Sequence, residues 1–306
     1  MTVPLFEDPK DGERAKLKPI VADILSQHRN WKPTKQKREL YTFEMFKALN
    51  DVLSEAVLTD CNVFLQERWA VFDWTRLGVF TGSRLAEYGQ SKPRSGELFA
   101  TVPNTMHAGE WAGSPIAFIR DDFTFYDEHF VQLSHSDATR DPSHRVAHYV
   151  YIRFRFDKSP TNFLIRKFCR ITGTFLCPVK AAISLLRRAD MLSVPADFPI
   201  GAFQKPSQSS GEFTFIKGEN VQCMMQEACV WGHPNPDHYM RKHIHLIQSH
   251  SNRVTAAVAM FNAGIPIETI ANRLRWSAKS VKHYLHECTT KIGFLTERAI
   301  QGAMMT

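Results

Sequence analysis

The chain has 306 residues, of which 43% are hydrophobic and 23% charged, a balance typical of a soluble globular protein. No membrane span is expected, because the sequence has no run of about 18 apolar residues. No secretion is expected either, because the N-terminal segment lacks an apolar signal-peptide core. Lysine and arginine number 38 against 31 acidic residues, giving a net charge of +7, which favours a polyanionic partner. The six cysteines show no CxxC pairing and are expected to be reduced thiols.

The N-terminal segment differs in composition from the rest of the chain. Residues 1–40 are polar and rich in proline, and they are predicted to form an arm or linker before one domain over residues 41–306. The basic run Lys32–Arg38 is compatible with an arm that touches phosphates, a nuclear targeting signal or a solvated linker.

Two helices are predicted at the start of the domain. Thr42 suits an N-cap, and apolar residues follow it at helical spacing. A second helix is predicted over Glu67–Phe80, and Gly82 suits the left-handed turn that would end it. The sequence is then irregular up to residue 147, with one strand predicted near residues 115–126.

A β-hairpin is predicted in the middle of the chain. His148–Phe156 alternates between a face with Ile152 and Phe154 and a polar face that carries arginines, the pattern of a half-buried strand. Residues 157–162 have turn composition, and Phe163–Ile171 reads as the returning strand.

Helices dominate the remainder of the sequence. Pro178 is expected to open one helix, and Gly264 is expected to end another. Three amphipathic helices are predicted in the last eighty residues, from apolar positions at helical spacing: Val254, Ala257, Val258 and Phe261; Ile267, Ile270, Ala271 and Leu274; Val281, Tyr284 and Leu285. The predicted fold class is α+β and mainly α, with a small antiparallel sheet.

Residues suited to phosphodiester chemistry recur along the chain. Such exchange needs a nucleophile, cations that hold the nonbridging oxygens, and an acid for the leaving oxygen. Arg84 follows the helix-ending glycine, and Glu87 can orient it from three residues further on. The alternative is an exposed ion pair worth about 0.3 kcal/mol. Lys158 at the hairpin turn can reach into a cleft, although turn lysines are commonly only solvated.

A second group of candidates lies near the C-terminus. His250 and Arg253 form an HxxR pattern on one side of a helix start. Nearby histidines at 243 and 245 raise the alternative of a metal site, but zinc ligands usually follow more regular spacing, so no metal is predicted. Trp276 precedes Tyr284 on the last helix, and Tyr284 is equally compatible with a core position.

Taken in order, these residues resemble the active-site pattern of the tyrosine recombinases. That pattern is an arginine in a TGxRxxE-like motif, a hairpin lysine, an HxxR, a histidine or tryptophan, and a tyrosine. Trp276 follows Arg253 by 23 residues and precedes Tyr284 by 8, the last step being one residue shorter than is usual. The resemblance covers Glu39–Glu287, and the phrases around Asp157 and after Gly173 look most like the recombinases of crypton-type mobile elements.

The resemblance implies a role for each candidate. Tyr284 would attack the scissile phosphate and form a 3′-phosphotyrosine, with His250 helping to remove its proton. Arg84 and Arg253 would bind the nonbridging oxygens. Lys158 would protonate the leaving 5′ oxygen, and Lys167 is the alternative for this role. Trp276 would donate a hydrogen bond from the position where many relatives carry histidine. Glu87 would hold the Arg84 region in place.

The resemblance also implies partners and conditions. The expected partner is double-stranded DNA, bound by a homotetramer on paired sites, and no metal, ATP or other cofactor is expected. The expected location is the nucleus in a eukaryote and otherwise the cytoplasm or nucleoid. Family members carry a DNA-clamping domain that residues 1–40 are too few to form, so weak DNA affinity is expected. A truncated copy, reliance on a separate partner and a domesticated relic are all compatible with this departure.

Two other functions remain open from the sequence. The segment from Gly264 to His283 reads like a helix-turn-helix, which would make the protein a sequence-specific DNA binder in which Tyr284 is structural. A recombinase fold with a non-catalytic DNA-binding role is the other alternative.

Overall fold

The structure is a computed structural model, and it describes residues 38–59, 66–88, 97–103, 112–140, 146–155, 164–205 and 212–287. All of these belong to one compact unit, Arg38–Thr306. Nearly all of the predicted arm, residues 1–40, lies outside the described residues, and so does Lys158. The described part is mainly helical with a small antiparallel sheet, as predicted.

Three helices precede the sheet: α1 (Phe43–Thr59), α2 (Glu67–Thr81) and α3 (Leu85–Tyr88). Thr42 Oγ1 accepts a hydrogen bond from a first-turn backbone N–H of α1 at 3.3 Å, which confirms its predicted capping role. Gly82 follows α2 with φ 57° and returns its N–H to the helix. The predicted left-handed turn is therefore present, and it directs the chain into α3.

The main sheet has the strand order β2-β1-β3-β4, with antiparallel neighbours. Its strands, and the short helix α4 between β2 and β3, have these bounds: β1 (Phe123–Tyr126), β2 (Gln132–Leu133), α4 (His135–Arg140), β3 (Tyr149–Phe154) and β4 (Leu164–Cys169). β3 and β4 pair from Tyr149↔Cys169 to Phe154↔Leu164, so the predicted hairpin is confirmed. The strand predicted near residues 115–126 is shorter than expected, because a 3₁₀ turn, Arg120–Asp122, occupies the preceding residues.

One face of β3 carries the core residues that its alternation predicts. Val150, Ile152 and Phe154 are buried. Arg155, predicted on the polar face, is also buried, because its Nε donates to the buried Asp122 carboxylate at 2.9 Å. A buried guanidinium needs such a partner, since an unpaired buried charge is strongly destabilising.

The second half of the described chain continues with helices and one small two-stranded sheet. The elements are α5 (Pro178–Met191), β5 (Ala202–Phe203), β6 (Thr214–Phe215), α6 (Gly218–Gly232), α7 (Tyr239–Lys242), α8 (Ser251–Asn262), α9 (Ile267–Leu274) and α10 (Ala278–Glu287). Pro178 lies in the first turn of α5, and Gly264 follows α8 with φ 77°. Both confirm the predicted boundaries, and the three C-terminal helices are confirmed as well.

Two apolar clusters hold these elements together. The larger cluster packs α1, α2, α5 and α6 against the main sheet, and the smaller joins α8, α9 and α10. Within the larger cluster, the fully buried Asp73 of α2 pairs with Arg76 and with Arg188 of α5. Removing one partner of a buried ion pair typically costs about 3–5 kcal/mol, so this network fixes α2 against α5.

A glycine allows α2 to approach α8 closely. A Cβ at Gly78 would lie 1.7 Å from the Asn252 side-chain nitrogen, so a larger residue would push the two helices apart. This contact brings the end of α2, and Arg84 beyond it, next to the start of α8 with His250 and Arg253. The close approach therefore positions the candidate residues of two distant sequence motifs.

Two findings bear on the composition-based expectations. None of the described helices is both long and apolar enough to cross a membrane. Among the described residues, Cys169, Cys177, Cys223 and Cys229 carry free thiols.

Candidate active site

Glu87 lies at the structural centre of the candidate site. Its Oε2 accepts the backbone N–H of Arg84 at 2.6 Å, while the Arg84 guanidinium approaches Oε1 only to 4.0 Å. The main charged partner is Arg275, whose Nη1 and Nη2 donate to Oε1 and Oε2 at 2.9 and 3.0 Å. Glu87 therefore holds the Arg84 backbone, whereas the sequence predicted that it would orient the Arg84 guanidinium, and its bidentate partner Arg275 was not predicted.

Arg275 is a residue of the site that sequence reasoning missed. It follows α9 directly, in the left-handed conformation with φ 59°, and its Cζ lies 3.7 Å from the centroid of the Phe154 ring. Its position immediately before Trp276 is the only indication in the sequence that Arg275 could belong to the site. The sequence does not show which way the guanidinium points, because that direction depends on the left-handed backbone.

The start of α8 supplies His250 and Arg253. Arg253 is 6% exposed, its Nη1 donates to the backbone oxygen of Gly82 at 2.9 Å, and its Cζ lies 4.1 Å from the Trp276 ring centroid. Burial lowers the pKa of Arg253 to about 10, and the Glu87 carboxylate and Tyr284 oppose that shift. The side chain therefore remains a cation at neutral pH.

Tyr284 of α10 joins this group from the other side. Its neighbours Val281 and Leu285 are buried in the α8–α10 cluster, which orients the half-buried tyrosine. The Tyr284 hydroxyl lies 2.8 Å from His250 Nε2, and the tyrosine ring centroid is 4.9 Å from that of Trp276. We call Arg84, His250, Arg253, Trp276 and Tyr284 the Tyr284 site.

The environment of His250 keeps its imidazole neutral. Burial lowers the pKa of His250 to about 4, with smaller contributions from the positive charges of Arg253, Arg38 and Arg84. In the tautomer with its proton on Nδ1, Nε2 can accept the hydrogen bond of the Tyr284 hydroxyl. The geometry therefore suits a proton acceptor for the tyrosine.

Two buried donors of the Tyr284 site lack acceptors. Arg253 Nε and Trp276 Nε1 have no hydrogen-bond partner within the described ranges. Leaving a buried donor unpaired typically costs about 1–3 kcal/mol, so a bound ligand that supplied oxygen acceptors would stabilise both groups.

Arg38 was predicted only as the end of a basic run, yet it lies in electrostatic range of the site. The adjoining segment is fixed on α8 and the chain before it: Glu39 N–H donates to Leu246 O at 3.2 Å, and Tyr41 N–H donates to Thr255 Oγ1 at 2.7 Å. The positive charge of Arg38 contributes to the lowered pKa of His250. The sequence shows the basic run, but it does not show that Arg38 lies near His250.

Of the two lysines considered as the acid, Lys167 is described by the structure and lies away from the Tyr284 site. Lys158 is outside the described residues. Lys167 Nζ lies 5.0 and 5.1 Å from the ring centroids of Tyr149 and Phe130, and β4 pairs it with Tyr151 of β3. Phe154, the contact of Arg275, is on the other, buried face of β3. The structure therefore does not bring Lys167 into the Tyr284 site.

The histidines that raised the metal alternative make other contacts. His243 stacks on Tyr239 with ring centroids 4.3 Å apart, and His250 contacts Tyr284. No group of three or more His, Cys, Asp or Glu side chains within the described ranges is arranged to hold a metal ion.

No family model matches the chain, and a search of curated proteins finds no match. What the protein does must therefore be inferred from the residues of the Tyr284 site and their contacts.

The lowered pKa of His250 gives the unfolding free energy a pH dependence of defined sign. Between about pH 4 and the ordinary value of 6.5, the unfolded chain binds a proton at this residue and the folded chain does not. The stabilisation is complete above pH 6.5 and is lost as the pH falls towards 4. We expect urea unfolding at pH 7 and pH 4.5 to show that His250→Gln lacks this loss, which amounts to about 2–3 kcal/mol.

An exposed histidine provides the matched control. The His129 side chain is 79% exposed, so His129→Gln should keep the pH dependence of the wild type. The same pH dependence in wild type and His250→Gln would contradict the burial of a neutral His250.

Proposed function

We propose that the protein is a tyrosine recombinase that breaks and rejoins DNA strands through a covalent bond to Tyr284. The observation that supports this proposal most directly is the 2.8 Å contact between the Tyr284 hydroxyl and His250 Nε2. The buried cation Arg253 lies in the same cluster. A tyrosine held against a neutral base and beside cations suits nucleophilic attack on a phosphodiester. The order of the motifs in the sequence supports the same class.

In the proposed reaction, the Tyr284 oxygen attacks phosphorus and the bond from phosphorus to the 5′ oxygen breaks. A free phenol with pKa near 10 is largely protonated at neutral pH, so Tyr284 must lose its proton to attack. The proton passes to His250, whose Nε2 lies 2.8 Å from the hydroxyl. The products are a 3′-phosphotyrosine and a 5′ hydroxyl. A second 5′ hydroxyl reverses the step, since the phosphotyrosine conserves the bond, so no ATP is consumed.

Cationic side chains would stabilise the charge that develops on the phosphoryl oxygens. Arg253 remains protonated although buried, and Arg84, with its side chain 31% exposed, is accessible to a DNA phosphate. Arginine suits this task because its planar fork binds two phosphate oxygens. The unpaired donors Arg253 Nε and Trp276 Nε1 would gain acceptors from the same phosphate.

The leaving 5′ oxygen needs a proton donor. Lys158 lies outside the described residues and remains the predicted acid on the strength of the resemblance. Because the pKa of His250 is lowered to about 4, its imidazole is neutral and has no extra proton to donate before the attack. After it accepts the tyrosine proton, His250 can return that proton in the reverse step.

The partners follow from the same proposal. The net charge of +7 fits a complex with double-stranded DNA, and a homotetramer on paired sites would perform the exchange. In a eukaryote the protein would work in the nucleus, and otherwise in the cytoplasm or nucleoid.

The packing of α10 favours attack by Tyr284 within its own subunit. Val281 and Leu285 pack with Val254 and Ala257 of α8, so one chain alone places the tyrosine against His250. A helix that delivered its tyrosine to a neighbouring subunit would have to leave this cluster. We therefore expect cleavage in cis.

Trapping of a covalent complex tests the chemistry. Nicked suicide duplexes from the DNA that flanks the gene should form a protease-sensitive, slowly migrating adduct on a denaturing gel. Tyr284→Phe should abolish the adduct and spare DNA binding, because it removes only the attacking oxygen. Arg84→Ala should lower the yield at least about a hundredfold, as loss of an electrostatic contact to the transition state does.

The matched control for the nucleophile is another tyrosine. Tyr126→Phe removes a hydroxyl from the main sheet, where its ring packs 4.8 Å from that of Tyr151, and should leave the adduct unchanged. DNA bound without any adduct would favour the non-catalytic alternatives. The exposed Lys279, Lys282 and His283 of α10 would then supply a helix-turn-helix with its basic face.

Mixed complexes test the cis arrangement. Tyr284→Phe and Arg84→Ala subunits are combined on one labelled duplex, and the adduct yield is compared with that of each variant alone. Cleavage in cis predicts no gain, because every subunit lacks either the nucleophile or the cation. Recovery of a sizeable share of the wild-type yield would show that the tyrosine acts in a neighbouring subunit.

A further inference from the structure

Arg275 occupies a position that links two residues of the Tyr284 site, Arg84 and Trp276, with the β3–β4 hairpin. Resting on the proposed function, we propose that Arg275 is a positioning residue that sets the geometry of the reacting groups without touching the DNA. Its side chain is 2% exposed, and both terminal nitrogens bind Glu87. A guanidinium so enclosed is not a phosphate ligand, so its influence must pass through its neighbours.

The first link runs to Arg84. Glu87 Oε2, held by Arg275 Nη2 at 3.0 Å, also accepts the backbone N–H of Arg84 at 2.6 Å. The Glu87 backbone oxygen is fixed as well, by the N–H of Phe118 at 2.8 Å. The short helix α3 is thus held through both the side chain and the backbone of Glu87. Arg84 directly precedes this helix, so its position depends on these contacts.

The second link runs to Trp276. Arg275 N–H bonds back to the last turn of α9, and Trp276 N–H donates to Ala271 O at 2.8 Å. The tryptophan therefore leaves α9 in a direction set by the left-handed residue before it. Its ring then lies 4.1 Å from Arg253 Cζ and 4.9 Å from the Tyr284 ring.

The third link runs to the hairpin. Arg275 Cζ lies 3.7 Å from the Phe154 ring centroid, a cation–π contact in a buried setting. Phe154 is the last residue of β3, the strand that leads towards Lys158. One side chain thus connects α3, the end of α9 and the hairpin.

The backbone of Arg275 argues for a specific role. Left-handed backbone with φ 59° favours glycine and is unfavourable for a side chain with a Cβ. Glycine would satisfy this helix end at no steric cost, but it would leave the Glu87 carboxylate buried without its bidentate partner. An arginine here accepts backbone strain and gains the link to Glu87, a pattern seen where function constrains the chain.

Four proteins separate positioning from mere stabilisation: wild type, Arg275→Gly, Glu87→Gln and the double variant. Arg275→Gly alone should unfold at a lower temperature, because it strands a buried carboxylate. The double variant removes one positive and one negative charge together, so its Tm should return close to that of the wild type. The matched control is Arg273→Lys, which alters an arginine that stacks on Phe168 at 4.3 Å, outside the Tyr284 site.

The first readout is the single-turnover rate of adduct formation on nicked duplex DNA at saturation. The double variant should bind DNA with a Kd within about threefold of the wild type, and its rate should fall about a hundredfold, as misplaced reacting groups cause. Arg273→Lys should react at the wild-type rate. A double variant that recovers both Tm and rate would overturn the proposal, because Arg275 would then be only a stabilising residue.

The second readout does not depend on activity. The pKa of His250, followed by NMR of its ring, should rise in the double variant, because the cations around it are no longer held in place while the net charge is unchanged. If the wild type binds DNA without forming an adduct, the proposed function fails and this titration alone decides: an unchanged pKa overturns the positioning role. Should the double variant not fold, Arg275→Lys replaces it, and a wild-type rate and pKa there would overturn the proposal equally.

Discussion

The Glu87 carboxylate is the constraint on which the rest of the site depends. It is 5% exposed, and a buried carboxylate is tolerated only when it is paired and hydrogen-bonded. Arg275 provides the pair, and the backbone of Arg84 provides a further donor. Satisfying this one group draws together α3, which begins after the Gly82 turn, and the end of α9. The apolar cluster of α8, α9 and α10 then places the remaining side chains around it.

Electrostatics follows from this packing. Desolvation of the half-buried imidazole, together with the positive charges of Arg253, Arg38 and Arg84, lowers the pKa of His250 and keeps it neutral. The cluster combines positive charge with two buried donors, Arg253 Nε and Trp276 Nε1, that have no hydrogen-bond partner among the described residues. The proposed DNA phosphate would supply a negative charge and acceptors to these groups, which links the fold to its proposed chemistry.

Periodic features were predictable from the sequence, and contacts between distant elements were not. The alternation around Ile152 and the spacing from Val254 onwards predicted the hairpin and the C-terminal helices, because each repeats within one element. The Tyr284 site was predictable as a set of residue types in a familiar order. Arg275 was not, because its direction depends on a left-handed backbone, and the burial of Arg155 depends on Asp122, 33 residues away. The charged partner of Glu87 was likewise not predictable, because Arg275 lies 188 residues further along the chain.

The most direct test of the account is to map the covalent bond itself. The wild-type adduct on nicked DNA is digested with protease and nuclease, and the nucleotide-bearing peptide is sequenced by mass spectrometry. The released strand is tested for labelling by a kinase without prior phosphatase treatment. We expect a nucleotide attached through its 3′ phosphate to Tyr284, and a released strand with a free 5′ hydroxyl that accepts the label. A nucleotide on any other residue, or a released strand that requires phosphatase before labelling, would contradict it.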